Sequence, residues 1–237
     1  MQLFYNPDIT TTSTSITFSK DESRHIVKVL RKTIGDILNI TDGKEKLYAA
    51  EITQAIDKKC IATIKSWQEK PKSWNYYLHI AIAPTKLNDR FEWFLEKATE
   101  IGVDEISPII CEHSERRQLK TERMQKVVLS AMKQSLKCKL PILNPPVKLK
   151  EFIQKKDWDL GLMAHCEESN KKHLKSYFPM REKIMILIGP EGDFSVNEIE
   201  YALNRGIHPV TFGESRLRTE TAGIVACNYV SVLNEIL

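Results

Sequence analysis

Lys183-Ile184-Met185-Ile186-Leu187-Ile188-Gly189-Pro190-Glu191-Gly192-Asp193-Phe194-Ser195 is the stretch that decides the fold of this chain. The unbroken apolar run reads as a strand covered on both faces, which is the signature of a parallel sheet. Behind it, Ser195 stands three residues before Glu198, the spacing of a capping box, and Phe194 and Ile199 stand at the positions of a hydrophobic staple. A helix therefore follows the loop, and Gly206 ends it. In open parallel sheets, ligands bind beyond the carboxyl ends of the strands. Gly189 and Gly192 let a backbone approach a ligand closely or take positive φ, and Pro190 stiffens the turn. The loop is neither Gly-x-Gly-x-x-Gly nor a P-loop, so a nucleotide phosphate is not the obvious ligand. On spacing alone, a structural turn accounts for the same residues.

Downstream, Pro209 to Phe212 reads as a short strand. It ends in Gly213-Glu214-Ser215-Arg216-Leu217-Arg218-Thr219-Glu220-Thr221-Ala222, before a helix from about Thr219 to Leu237. Two arginines, acids and hydroxyls crowded at a strand's carboxyl end favour a site. Capping by Thr219, with Glu220 on the positive helix end, is the plainer reading and is compatible with a site. Upstream, strands are expected at Tyr77–Ala83, Ile106–Cys111, Trp158–Met163 and Ile184–Ile188. Helices are expected from Leu87 to Ile101, stopped by Gly102, and from Thr121 to Leu136. Strands alternating with helices imply an α/β domain, a mainly parallel sheet with helices on both faces.

The first 70 residues read differently. Short strands are expected at Leu3–Tyr5, Ile16–Phe18, Ile37–Ile40, Tyr48–Ile52 and Cys60–Ile64, with one short helix from Asp21 to Leu30. Asp42-Gly43 is a hairpin signal. Short strands with turn punctuation argue for a small β-barrel. Glu69 to Ser73 is polar and reads as a linker.

The formal net charge is +4, yet residues 111–150 hold ten Lys or Arg against three acids, or +7, which leaves −3 for the rest. A basic block on a nearly neutral protein suggests a polyanion partner, and a solvated helix face would carry the same charges. Arg116, Arg117 and Arg123 lie in that block, and arginine suits phosphate because its planar fork donates two bonds. Ser23-Arg24-His25 with Lys28, Arg31 and Lys32 is a second polar cluster, beside the expected barrel. The five cysteines contain no Cys-x-x-Cys and the six histidines show no ligand spacing, so a metal or disulfide framework is not expected. No apolar run approaches the roughly 20 residues of a membrane span, and the first residues do not read as a signal peptide. A cytoplasmic protein is expected.

Together these segments resemble the RsmE family, the 16S rRNA (uracil-N3)-methyltransferases. The likeness runs along nearly the whole chain: His25-Ile26-Val27-Lys28-Val29-Leu30-Arg31 with Gly35-Asp36, Lys97-Ala98-Thr99-Glu100-Ile101-Gly102-Val103, Ser114-Glu115-Arg116-Arg117, Gln134-Ser135, Gly189-Pro190-Glu191-Gly192, and Leu217-Arg218-Thr219-Glu220-Thr221-Ala222. Two positions depart from the family pattern: Gln2 stands for an arginine, and Lys137 for another.

The resemblance implies a SPOUT domain at residues 74–237 with a deep trefoil knot, a PUA-like β-barrel that binds RNA at residues 1–70, and a homodimer. It also implies S-adenosyl-L-methionine as cofactor, held by three loops near Met163 to Cys166, Ile188 to Gly192 and Phe212 to Arg218. The cofactor residues implied are Met163, His165, Ile188, Gly189, Pro190, Glu191, Gly192, Phe212, Gly213, Leu217 and Arg218. The RNA residues implied are Arg24, His25, Arg31, Arg116, Arg117 and Arg123, with 16S rRNA or the small ribosomal subunit as partner. Methylating uridine N3 requires loss of its imide proton. Glu220 is the candidate for handling that proton and Arg218 for orienting the base or its phosphate. A transfer RNA substrate, and an RNA-binding or ribosome-assembly module without catalysis, remain the alternatives.

Overall fold

Apolar alternation builds the first part of the chain into a half-buried sheet. A computed structural model describes residues 2–167, 170–178 and 183–236, with side chains to residue 234. Residues 1–73 and 132–140 form one compact unit, and residues 74–131 and 141–237 the other.

In the first unit, β1 (Leu3–Tyr5), β2 (Ser15–Thr17), β3 (Ile37–Thr41), β4 (Lys46–Ile56) and β5 (Lys59–Glu69) form a sheet in the order β1-β3-β4-β5-β2. Only the β1–β3 pair is parallel. Phe4, Ile16, Ile26, Leu38, Ile40, Tyr48 and Ile52 fill its core. The β3–β4 turn has the expected chemistry: Gly43 takes φ +74°, and Asp42 Oδ1 accepts from the amides of Lys44 at 2.7 Å and Lys46 at 3.3 Å.

β4 and β5 run to eleven residues each, longer than the alternation predicts. Their distal halves include an exposed run, Lys65 to Glu69, so no apolar period marks them. The expected helix from Asp21 to Leu30 is α1 (Lys20–Arg24) followed by a π-helical turn, His25–Val29, closed by Leu30 N–H on His25 O at 2.9 Å. Ser23, read as part of a polar cluster, is buried. Its hydroxyl donates to Phe18 O and accepts from Cys60 N–H, which pins α1 to the sheet.

The second unit is built on β6 (Tyr77–Ile82), β7 (Glu105–Ile110), β8 (Ile142–Leu143), β9 (Val147–Lys148), β10 (Leu160–Ala164), β11 (Lys172–His173), β12 (Lys183–Ile188) and β13 (His208–Thr211). Their order is β11-β13-β10-β12-β6-β7-β8, with β9 also on β7, and every pair is parallel. The opening stretch is thus the central strand, with Ile184 to Ile188 buried. β12 sits between β6 and β10, both of which precede it in the chain.

Helices α2 (Asn88–Ile101), α3 (Thr121–Gln134), α4 (Leu149–Lys155), α5 (Val196–Leu203) and α6 (Thr219–Ile236) complete the unit, with the end of α3 passing into the first. Ala81, Met163, Met185 and Leu187 pack with Phe152 and Ile153 of α4 and Ile199 and Ala202 of α5. Ile82 faces the other way, toward Gly223 of α6 and Phe94 of α2. Helices therefore cover both faces. Ser195 makes the expected capping box with Glu198, and Gly102 ends α2 at φ +130°. Sequence reading missed α4, although Leu149, Phe152 and Ile153 have helical spacing. It also missed β8, β9 and β11, which are too short at two residues each to show a period.

A polar cluster is buried between β6 and β7. His79 Nε2 bonds Ser107 Oγ at 2.8 Å. Glu105 accepts from Tyr77 OH at 2.8 Å and Asn144 Nδ2 at 2.7 Å. Burial pushes the His79 pKa down from 6.5 to about 4, against the pull of Glu105. The unfolded chain therefore takes up the proton first as pH falls. The stability that neutral His79 carries is complete above about pH 6.5 and is lost between 6.5 and 4. Urea unfolding should show a loss of about 2 kcal/mol between pH 7 and pH 5, and His79→Gln should remove most of it. An unchanged slope in that variant would show that other groups carry the effect.

Candidate functional site

Ala164, Ile188 and Val210 lie side by side where β10, β12 and β13 end. Three parallel strands thus deliver three loops to one place, as expected of ligand sites in such sheets. Between the loops is a cavity of about 740 Å³, lined by Ala164 to Cys166, Lys171, Ile188 to Glu191, Asp193 and Val210 to Thr219, with Ala222. That volume suits a small-molecule ligand, for which roughly 300–1,000 Å³ is usual.

The lining includes His165, Ile188, Gly189, Pro190, Glu191, Phe212, Gly213, Leu217 and Arg218. Two other sequence candidates are placed elsewhere. Met163 is wholly buried among the α4 and α5 core residues. Gly192 is exposed and lies against His113, where a Cβ would come 3.1 Å from the His113 Cβ.

Neither Gly189 nor Gly192 takes positive φ, contrary to one of the two roles expected of them. In that loop Asp193 does, at φ 61°, and in the next loop Gly213 does, at φ 136°. At Gly189 a Cβ would meet the Phe194 ring at 3.0 Å. Both glycines thus stand in close contact with neighbouring side chains, where a Cβ would fit only if Phe194 or His113 gave way by a few tenths of an ångström.

Local bonds fix the loops to one another. The Thr219 hydroxyl donates to Gly189 O at 3.0 Å, so it ties the third loop to the second. Asp193 Oδ2 accepts from Cys166 N–H at 2.6 Å and ties the second loop to the first. Glu191 Oε1 accepts from Lys86 N–H at 2.9 Å. Sequence reading did not single out Asp193, Lys171 or Thr219 as lining residues, while Cys166 and Arg216 fell within the loop ranges expected to hold the cofactor. The Gly-Pro-Glu-Gly-Asp and Leu-Arg-Thr-Glu-Thr-Ala strings held the signal for Asp193 and Thr219, but nothing marked Lys171.

Arg218 is exposed on the cavity, and its guanidinium makes no hydrogen bond or ion pair among the described residues. Glu220 is buried outside the lining, with Oε1 3.9 Å from Arg90 Nε on α2. Residues two apart at a helix start face different ways, so the two candidates for chemistry are separated.

Of the basic RNA candidates of this unit, Arg116 and Arg117 lie in the segment between β7 and α3, and Arg123 lies in the first turn of α3. Arg116 and Arg117 line a second cavity of about 700 Å³ with Lys86, Asn88, Glu115 and Lys120. His113 Nδ1 reaches the carbonyls of Gly192 at 3.0 Å and Asp193 at 3.1 Å, so this segment docks on the glycine loop. Arg123 is paired with Glu92, its Nη2 donating to Oε2 at 2.9 Å. In the first unit, Arg24 and Arg31 are exposed, and Arg31 has φ 53° just after the π-helical turn. His25 Nε2 is 2.9 Å from Gln2 Nε2. Among the described residues no helix is long and apolar enough to cross a membrane.

The family model described as "RNA methyltransferase domain" matches residues 72–231, and "RNA methyltransferase PUA domain" matches residues 18–65. A curated relative from Buchnera aphidicola subsp. Acyrthosiphon pisum, "Ribosomal RNA small subunit methyltransferase E", is 30% identical over 88% of this chain and 85% of its own. A crystal structure described as a "probable rRNA-methyltransferase from Porphyromonas gingivalis" is 42% identical with a TM-score of 0.92, covering 100% of this chain and 99% of its own. A "Ribosomal RNA small subunit methyltransferase E from Neisseria gonorrhoeae bound to S-adenosyl methionine" is 26% identical with a TM-score of 0.87, covering 98% of both chains. With three loops converging on one cavity at the ends of a parallel sheet, and with likeness of this extent, the chain belongs to the RNA methyltransferase family whose curated members are the ribosomal RNA small subunit methyltransferases E.

Proposed function

We propose that this chain methylates N3 of a uridine in small-subunit (16S) ribosomal RNA, with S-adenosyl-L-methionine as methyl donor. The observation that carries the reading is the cavity at the ends of β10, β12 and β13, with Arg218, which is unpaired among the described residues, on its wall. The residues fit the cofactor: backbone of Ala164 to Cys166, Ile188 to Glu191 and Phe212 to Arg218 would hold it. When bound, the cofactor supplies a methyl group on a sulfonium.

The protein has then to position the base and manage one proton. Arg218, on the cavity wall, is the candidate cation to hold the uracil oxygen that gains negative charge when the imide proton leaves. Glu220 is the candidate acceptor of that proton. Its place beside Arg90 means that direct transfer requires the base to reach the α2 side of the helix start. N3 is on the pairing edge, so the target uridine must be unpaired or flipped out. Arg116 and Arg117, with Lys86 and Lys120, offer charge for the RNA backbone. Arg123 joins them only by leaving Glu92. In the first unit, Arg24, His25 and Arg31 are proposed RNA contacts, residues 1–70 serving as a PUA-like RNA-binding domain and residues 74–237 as the catalytic domain. A trefoil knot in the latter, a homodimer, and work in the cytoplasm on the small subunit complete the proposal.

The test is labelled-methyl transfer to small-subunit RNA and to transfer RNA, followed by mass spectrometry of the nucleosides. The expected product is 3-methyluridine in the small-subunit RNA alone. Label in transfer RNA would move the substrate. No transfer and no calorimetric heat with S-adenosylmethionine would leave an RNA-binding module.

A further inference from the structure

His165 follows β10 directly and is 8% exposed. Neither of its ring nitrogens has a hydrogen-bond partner among the described residues. Buried polar atoms of native proteins are nearly always satisfied, and one left open on a cavity wall points to something that enters the cavity. The ring is not loosely hung. Its own carbonyl accepts from Lys171 Nζ at 2.8 Å, and the next amide, that of Cys166, donates to Asp193 Oδ2 at 2.6 Å. Both bonds hold the peptide that joins His165 to Cys166, and Ala164 before it is the last, paired residue of β10, so the backbone is fixed while the ring itself is left free to bond.

We propose that the His165 ring hydrogen-bonds the uncharged adenosine half of the cofactor and so selects for that half, leaving the charged amino-acid end to other residues. This rests on the cofactor reading above. A neutral imidazole presents one donor and one acceptor. A ribose hydroxyl or a purine edge offers the complementary pair, whereas a carboxylate only accepts. Burial, and then Lys171, hold the His165 pKa below its ordinary value, against the weaker pull of Asp193 and Glu167. The ring is thus neutral near pH 7. A ligand carboxylate has better partners on the same wall in Lys171 and Arg216.

Calorimetry on the full chain separates the possibilities. The probes are S-adenosylhomocysteine and 5′-methylthioadenosine, which lacks the amino-acid end. His165→Phe keeps the ring's size and removes both nitrogens, and His165→Asn keeps a donor and an acceptor. His165→Phe should weaken both ligands by the same factor, about tenfold for a lost buried hydrogen bond. His165→Asn should recover most of that loss. The thermal midpoint of ligand-free His165→Phe should not fall, because the open nitrogens contribute nothing to the fold.

Wild-type affinity for both probes in His165→Phe would overturn the proposal. So would a loss confined to S-adenosylhomocysteine, which would place the ring at the amino-acid end, or a lowered ligand-free midpoint, which would make the ring structural. If the wild-type chain binds neither probe, the cofactor reading itself fails, and this proposal fails with it.

Discussion

Arg218→Ala is expected to lower the rate of methyl transfer to small-subunit RNA by about 10²–10³-fold, the usual cost of removing one preorganised group aimed at developing charge. The size follows from the surroundings. The guanidinium is free among the described residues, so no protein bond offsets its loss and no fold contact goes with it. Unfolding midpoints should be unchanged. S-adenosylmethionine affinity should fall only modestly, since backbone from three loops supplies the rest of the wall. Glu220→Gln is the paired measurement. Its carboxylate is turned toward Arg90, so removing the charge should reduce transfer by less than about tenfold if the residue only steadies the helix start. A loss as large as that of Arg218→Ala, with a shifted pH–rate profile, would instead identify Glu220 as the base. Near wild-type rates in both variants would remove the helix start from the chemistry.

The difference between these two residues was not legible in the sequence. Leu217 to Ala222 marks a crowded polar loop, but the direction in which each side chain leaves the helix start is set by how α6 packs on α2. The same holds for the glycine loop. Its place after a buried strand and before a capped helix was readable from Ile184 to Glu198, because an unbroken apolar run and a capping box are local signals. That Gly192 would touch His113, 79 residues earlier in the chain, was not. The sheet's parallel character followed from continuous apolar runs. Its order, with β12 between β6 and β10, did not, because strand order depends on contacts between distant segments. The first unit shows the same limit. Its hairpin at Asp42-Gly43 was local and clear, while the return of residues 132–140 to that unit depends on tertiary packing. His165 could be placed in a loop, yet its two open nitrogens became visible only with the cavity.

Gly223→Ala is expected to destabilise the protein, against the ordinary preference of helices for alanine. Gly223 lies inside α6, where alanine would normally gain about 1 kcal/mol. Here a Cβ would come 2.6 and 2.8 Å from two Phe94 ring atoms and 2.9 Å from Ile82 Cδ1. Phe94 and Ile82 are wholly buried, so neither can swing into solvent. Overpacking of this kind costs about 1–3 kcal/mol and outweighs the propensity gain. The net loss should be up to about 2 kcal/mol, or as much as several degrees in the midpoint, and Gly223→Val should lose more. Shrinking the neighbour decides the cause. Phe94→Leu destabilises alone, but combined with Gly223→Ala it should cost less than the two losses summed, because the new methyl occupies the space the ring vacates. A functional effect should accompany the structural one. α6 begins at Thr219, whose hydroxyl holds the Gly189 carbonyl, so pushing the helix away from α2 strains the bond between two loops that line the cavity. S-adenosylmethionine affinity should therefore fall in Gly223→Ala and recover with Phe94→Leu. A raised midpoint in the single variant would mean that helix propensity outweighs the close contact of α6 with α2.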